Sequence, residues 1–269
     1  MIPDEITGDY TTETINLDFN DSILHEHKLT AEAEKIAKKK KRQKERKKLK
    51  NKQENREKQR ILLEKIEDIV LNSKKLIFVS FDIEAFEFDQ RKLTEVGISI
   101  YRDGKCSTQH IIINENIKYC NKKRVPNNKF NFSFGNSIKK STFEAMSMLS
   151  KVLHKADYIV GHGVSNDFNY IERETKSKKY NHIKMSSNLF NIIDTQDIFN
   201  MIRSNKKKTS QASADSLFYL YGVQFKFLHN AGNDARYTME LYIKMIASIS
   251  HQEVAKIKLS LSKDIVISQ

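Results

Sequence analysis

The sequence predicts an α/β domain, a mixed sheet flanked by helices, with a basic helical arm ahead of it. Three observations predict it. KKLIFVSFDIEAFEF is a near-continuous apolar run, too short and too rich in β-formers for a helix, and reads as a strand buried on both faces. LTEVGISIYRDGK followed by STQHIIIN alternates through Val96, Ile98 and Ile100 and turns at Asp103-Gly104, the pattern of a β-hairpin. Two strand-to-helix units then follow, ADYIVGHGVSNDFNYIERE and LFNIIDTQDIF. The 269 residues, 39% of them hydrophobic, suffice for one domain of ordinary size plus an appendage.

Charge is distributed in blocks. The net charge is +13. Residues 1–30 hold seven acidic residues and one Lys, and read as an acidic disordered tail that resembles neither a secretory signal nor an Arg-rich transit peptide. His25 and His27 lie in this tail with no Cys or carboxylate spacing that would complete a metal site. Residues 35–60 hold fifteen Lys or Arg against three Glu, and the remainder from residue 61 is basic by nine charges. From Ala31 to Leu71 there is no Pro or Gly, and helix formers dominate. Leu49 is the only aliphatic residue between Ala37 and Arg60, so the helix has no face to bury and no coiled-coil seam. Residues 31–71 are therefore read as a basic helical arm, solvated over ~40 Å at 1.5 Å per residue. Its last turns, with Ile61, Leu62, Leu63, Ile66, Ile69 and Val70, dock on the following domain. KKKKRQKERKKLK is either a charged spacer or a nucleic-acid contact or nuclear-import signal, and the second reading is preferred because close Lys residues repel unless a polyanion relieves them.

No stretch reaches the ~18 apolar residues of a membrane-spanning helix, so no membrane partner is expected. Cys106 and Cys120 form neither a disulfide framework nor a zinc spacing, which suits a reducing compartment.

After the hairpin, residues 115–140 read as a loop in which Phe130, Phe132 and Phe134 pack onto the core, with base stacking as the second reading. Ser141 or Thr142 caps a helix through Phe143, Met146, Leu149, Val152 and Leu153, with Glu144 near the capping-box position. Asp194 or Thr195 caps a later helix, residues 203–212 form a basic loop, and SADSLFYLYGV is a helix stopped by Gly222. HNAGNDARYTMELYIKMIASI begins in a loop and continues as an amphipathic helix.

The chemistry-bearing residues are few. Asp82 and Glu84 share one face of the first strand, because strand side chains alternate. Two carboxylates there repel unless a cation sits between them, and hard oxygen ligands suit Mg²⁺ or Mn²⁺. Alone, the pair also reads as a strand-end cap and a solvent-exposed acid. Asp167 opens a helix, either as a dipole-stabilised first-turn acid or as a third carboxylate aimed at a metal. In H-x-x-x-x-D, His229 precedes a helix and Asp234 lies on its first turns, so the His can lean over a site that the Asp ligates.

In this order, FDIEAFE with LTEVGIS, GHGVSNDF and HNAGNDA, the motifs resemble the DEDDh 3′–5′ exonuclease family of the ribonuclease H-like superfamily, most like a poorly characterised fungal branch. The resemblance covers roughly residues 75–248, and implies a ribonuclease H-like mixed five-stranded sheet, an exonuclease domain over 72–250 and a C-terminal tail over 251–269. It implies that Asp82, Glu84, Asp167 and Asp234 hold two Mg²⁺ or Mn²⁺ ions, ~3.5–4 Å apart, and that His229 is the general base. Where many members carry small residues and Gly after D-x-E, this chain has Ala85, Phe86 and Glu87. Ala85 and Phe86 are the substrate-contacting candidates, Phe86 by stacking on a base, and His162 either contacts substrate or shapes its turn. The implied activity is release of 5′-mononucleotides from the 3′ ends of RNA or DNA. A catalytically inactive nucleic-acid-binding module keeping the fold is the alternative, and an endonuclease of the wider class is disfavoured by the H-x-x-x-x-D spacing. Relatives often pair, so a homodimer stays open. A nuclear or cytoplasmic address is expected, the acidic start disfavouring a mitochondrial one.

Overall fold

Strand β1 (Phe78–Phe86) alternates as its sequence requires: Val79, Phe81 and Ile83 enter one core cluster, while Ser80, Asp82 and Glu84 occupy the opposite face. The computed structural model describes residues 14–72, 75–176, 183, 185–203, 211–249, 254 and 259. β1 pairs antiparallel with β2 (Asp89–Arg102), and β2 with β3 (Lys105–Ile113). Asp103 and Gly104 join them with φ of 51° and 73°, the two positive values a type I′ turn needs. β5 (Tyr158–Gly161) and β6 (Ile192–Asp194) add in parallel on the other side of β1.

The sheet has six strands, in the order β4-β3-β2-β1-β5-β6, where five were expected. The extra one, β4 (Ile138–Lys140), lies inside the segment read as a loop over 115–140. Three residues with one apolar side chain carry no legible alternation. β4 exists because the free edge of β3 pairs with it in parallel, Ile111 with Ile138 and Ile113 with Lys140. Phe132 and Phe134 of the same segment pack as expected, 5.3 Å from the His110 ring and 5.6 Å from Tyr237, whereas Phe130 is exposed.

Helices α2 (Thr142–Leu153) and α3 (Ser165–Thr175) cover the Val79 face. Ser141 caps α2 in a capping box with Glu144, as the sequence indicates. Asp194 caps α4 (Thr195–Ile202), and Gly222 in the left-handed region stops α5 (Ala214–Tyr221). Helix α6 (Ala231–Ser248), capped by Asn230, lies on the Asp82 face and contributes Tyr237, Leu241, Tyr242 and Met245 to its core. The fold is thus a mixed sheet flanked by helices, as the sequence predicts.

The first helix, α1 (Thr14–Asn72), is one element of 59 residues. It begins at Thr14, inside the stretch expected to be a disordered acidic tail over 1–30; residues 1–13 of that stretch lie outside the described residues. Most of the C-terminal tail over 251–269 and positions 204–210 of the basic loop also lie outside them. The chain divides into two compact units, Met1–Glu57 and Lys58–Gln269. In the first, side chains from Lys35 to Glu57 are exposed apart from half-buried Arg56, Ile36 and Leu49 included. In the second, the end of α1 buries Leu62, Leu63, Ile66 and Ile69 against α4, α5 and α6. Lys65 Nζ donates to Ile192 O at 3.1 Å and Tyr158 Oη to Asp68 Oδ2 at 2.8 Å, fixing that end.

Candidate active site

The acids gather because three elements end at one place. β5 pairs with β1 only from Phe78 to Ser80, so beyond Ser80 that edge of β1 has no strand beside it. The first turn of α3 fills that position: Ile83 N donates to Asp167 Oδ1 at 3.0 Å. Across β1 and β2, Asp82 faces Gly97 and Glu84 faces Glu95. With no side chain at Gly97, α6 seats its first turn there, and Ser80 Oγ donates to Ala235 O at 2.6 Å. That seating delivers Asp234.

His229 sits just before α6 with φ of 63°, a left-handed conformation that His tolerates better than most side chains. Its amide donates to Asp234 Oδ2 at 2.8 Å. The loop carrying it is held by asparagines: Asn128 Nδ2 donates to Leu228 O at 2.6 Å, Asn230 Nδ2 to Asn128 O at 3.0 Å, and Asn233 Nδ2 to Phe227 O at 3.1 Å and Asn131 O at 3.0 Å. The Asn-rich stretch read only as loop therefore positions the histidine.

Glu84, His229 and Asp234 each offer one ligand atom within 4.8 Å of the other two, and His229 Nδ1 lies 3.8 Å from Glu84 Oε1. Asp82 and Asp167 stand outside that triad but within its electrostatic reach. Burial pushes the Asp82 carboxyl well above the usual carboxylate range, and Asp167, Asp234, Glu84 and Glu95 push it further. Burial also raises Glu84, followed by the charges of Glu95, Asp234 and Asp167. Asp167 is pushed up to about 7 by burial, against the backbone amides that bind it. Asp234 likewise reaches about 7 through burial, opposed by the His229 amide and reinforced by Glu95 and Asp167. Burial lowers His229 from its ordinary 6.5, with Asp215 acting the other way, so the ring is neutral near pH 7.

Two oxygens test whether a cation fits. Asp82 Oδ2 and Asp234 Oδ1 are buried without a hydrogen-bond partner. An unpaired buried carboxylate oxygen is costly, and hard divalent cations bind such oxygens. The donor set thus suits Mg²⁺ or Mn²⁺.

The remaining candidates divide. Ala85 and Phe86 end β1 beside the site, half-buried, with Phe86 5.1 Å from the Tyr119 ring. His162 has both ring nitrogens within hydrogen-bond distance of groups in the chain, Nδ1 at 2.8 Å from Thr195 Oγ1 and Nε2 at 3.0 Å from Ala212 O. Glu95 escaped the sequence reading. It is 3% exposed, receives Ala231 N–H at 3.2 Å and lies 2.9 Å from His110 Nε2. Its signal was available: a charged residue inside the otherwise apolar strand LTEVGISI.

Residues 77–245 match the family described as DEDDh_C: DNA polymerase III subunit epsilon-like, C-terminal domain. An uncharacterised nucleolar protein of Schizosaccharomyces pombe is 32% identical over 173 residues, 62% of this chain and 68% of that protein. An uncharacterised protein of Saccharomyces cerevisiae is 29% identical over 214 residues, 65% of this chain and 42% of its own length. The S. cerevisiae protein called Good for full DBP5 activity protein 2 is 29% identical over 208 residues, 65% of this chain and 36% of its own. The chain therefore spans less than half the length of the two budding-yeast relatives. Among solved structures, the Neurospora crassa Pan2 catalytic unit is similar at TM-score 0.41 and 16% identity, over 68% of this chain and 29% of that one.

Proposed function

The chain belongs to the DEDDh family, DNA polymerase III subunit epsilon-like, and on that premise we propose that it is a metal-dependent 3′–5′ exonuclease releasing 5′-mononucleotides from RNA or DNA. The reading is supported chiefly by the meeting of Glu84, His229 and Asp234 beside carboxylate oxygens that lack any hydrogen-bond partner.

Asp82, Glu84, Asp167 and Asp234 would hold two divalent cations. Bound there, Mg²⁺ or Mn²⁺ supplies charge neutralisation for the phosphodiester and acidification of the attacking water. His229 takes the proton from that water. Its ring is half-exposed, neutral near pH 7 and oriented by a loop whose carbonyls at Phe227 and Leu228 are hydrogen-bonded to asparagine side chains. The Asp234 carboxylate binds the His229 amide through one oxygen and leaves the other for the cation, so base and ligand move as a unit. A nuclear site of action belongs to the same proposal, supported by the basic run in α1 and by the name of the nucleolar fission-yeast relative.

End-labelled single-stranded RNA and DNA incubated with Mg²⁺ or Mn²⁺ test it. A ladder shortening stepwise from the 3′ end, lost in Asp82→Asn and in His229→Ala, is the expected result. Intact substrate that still shifts on a gel overturns the enzyme reading in favour of a binding module, and internal cuts overturn the exonuclease reading.

A further inference from the structure

Immediately beyond Glu84, the end of β1 is stitched to the segment Lys118–Arg124. Asn121 Nδ2 donates to Ala85 O at 3.0 Å, and Glu87 N donates to Asn121 Oδ1 at 2.8 Å. The Glu87 carboxylate then accepts three consecutive backbone amides, from Lys122 and Lys123 at 3.0 Å each and from Arg124 at 2.7 Å. Its charge is engaged by the backbone, and the side chains of Lys122, Lys123 and Arg124 are exposed. From beneath, the buried Lys129 ammonium donates to Ile117 O and Tyr119 O, and Asn116 Nδ2 donates to Leu93 O at 2.8 Å. A loop tied down at so many backbone groups is built before any ligand arrives.

Rings and cations alternate on its surface. Phe86 packs 5.4 Å from Phe88 and 5.1 Å from Tyr119. Lys92 and Lys118 stand 5.0 and 5.6 Å from the Tyr119 centroid, and Lys123 stands 5.7 Å from that of Phe88. Phe88 is 58% exposed in the two-residue turn between β1 and β2, although burial of its ring would be stabilising. A large exposed ring among fixed cations is what a nucleic-acid strand with unstacked bases recognises: bases stack on the ring, and phosphates meet the ammonium and guanidinium groups.

We propose that Phe88, Tyr119, Lys118, Lys122, Lys123 and Arg124 form a binding platform for single-stranded nucleic acid, holding nucleotides upstream of the 3′ end. The platform deepens the exonuclease reading, because the strand it holds leads to Glu84. A folded duplex offers phosphates but no free base faces, so the platform favours single strands. It also gives the chain an affinity that grows with substrate length.

The test separates the platform from catalysis by measuring equilibrium binding in EDTA, without turnover. Fluorescent oligonucleotides from trinucleotide to dodecanucleotide, of RNA and of DNA, are titrated with the full chain. Wild-type affinity is expected to rise with length. In Phe88→Ala the dodecanucleotide binds about five to a hundred times more weakly, the range of one base stack removed, while blunt duplex binding is unchanged. In the triple variant Lys122→Gln, Lys123→Gln, Arg124→Gln, the slope of log affinity against log salt becomes shallower by up to about 2, at ~0.7 per neutralised phosphate on a single strand. Lys151→Gln, an exposed lysine on α2, keeps the wild-type length dependence. Wild-type length and salt dependence in both platform variants overturns the proposal. Absence of hydrolysis in a protein that shows these binding effects overturns the catalytic reading instead.

Discussion

Gly97 and Ala231 touch backbone to backbone: a Cβ placed on Gly97 would lie 1.8 Å from Ala231 O. This contact sets the height of α6 above β1 and β2, and hence the position of Asp234 relative to Asp82, which faces Gly97 across the strands. Gly97→Ala is expected to destabilise the domain by roughly 1–3 kcal/mol, the cost of overpacking, and to abolish any metal-dependent turnover even where the chain folds. Urea denaturation measures the first effect and the oligonucleotide assay the second. A variant of wild-type stability would mean that α6 can shift without cost.

The acids were legible in the sequence, and their scaffold was not. Asp82 and Glu84 stand out because a period of two in an apolar run places both on one face. Asp167 and Asp234 stand out because each opens a helix after a turn. Gly97 reads as an ordinary strand glycine until α6 is in place, since what it contacts is 134 positions away in the chain. Asn128 reads as part of a loop and Asn233 carries no signal of its own, yet they bond the two carbonyls just before His229. Lys129 was indistinguishable from the basic residues around it, although it is buried beneath the loop it organises. Local patterns report which face a side chain takes; pairings made by tertiary contact leave no periodic trace, β4 being the other example.

Glu95 supports a second expectation. One oxygen serves both Ala231 N–H and His110 Nε2, all of them buried. Glu95→Ala removes the shared partner and leaves two buried groups without one, at about 1–3 kcal/mol each. Glu95→Gln keeps an oxygen for the amide and a similar shape. The Ala variant is expected to unfold at markedly lower urea than the Gln variant; equal midpoints would show that water replaces the carboxylate.

Stability of the metal-free chain is expected to fall as pH rises. The ordinary carboxyl values are 3.8 for Asp and 4.5 for Glu, and in the fold Asp82 and Glu84 lie well above them while Asp167 and Asp234 lie at about 7. A carboxyl raised on folding contributes stability that is complete below about pH 4 and lost as pH climbs through about 7. Asp82→Asn removes one of the repelling charges, so its melting temperature in EDTA should gain on wild type as pH rises across that window. Adding Mg²⁺ or Mn²⁺ at pH 7.5 should raise wild type more than the variant. A difference independent of pH would mean that the four acids do not share one site.

The first unit invites a test of charge. From Lys35 to Glu57 its side chains are exposed apart from Arg56, so neutralising lysines there costs the core nothing. Replacing Lys39, Lys40, Lys41, Lys47 and Lys48 with Gln is expected to leave the melting temperature unchanged. On a blunt duplex, the slope of log affinity against log salt should become shallower by ~0.9 for each phosphate that is no longer neutralised. Unaltered slopes would identify this stretch as a spacer.

His229 gives the sharpest kinetic expectation, because two kinds of group titrate around it. A general base must be unprotonated, and burial sets His229 below its ordinary 6.5, so its acid limb in kcat/KM lies below that value. The carboxylates at about 7 impose a different limb, since protons and cations compete for them. Raising the Mg²⁺ or Mn²⁺ concentration should move the carboxylate limb to lower pH and leave the histidine limb in place. In His229→Ala the rate at saturating metal should fall by about 10² to 10⁴, and the metal-insensitive limb should vanish with it. Binding of a trinucleotide should persist in that variant, because Asp82, Glu84, Asp167 and Asp234 all retain their carboxylates and the backbone amide at position 229 still reaches Asp234. A profile in which the metal-insensitive limb survives His229→Ala would assign the proton transfer to another group.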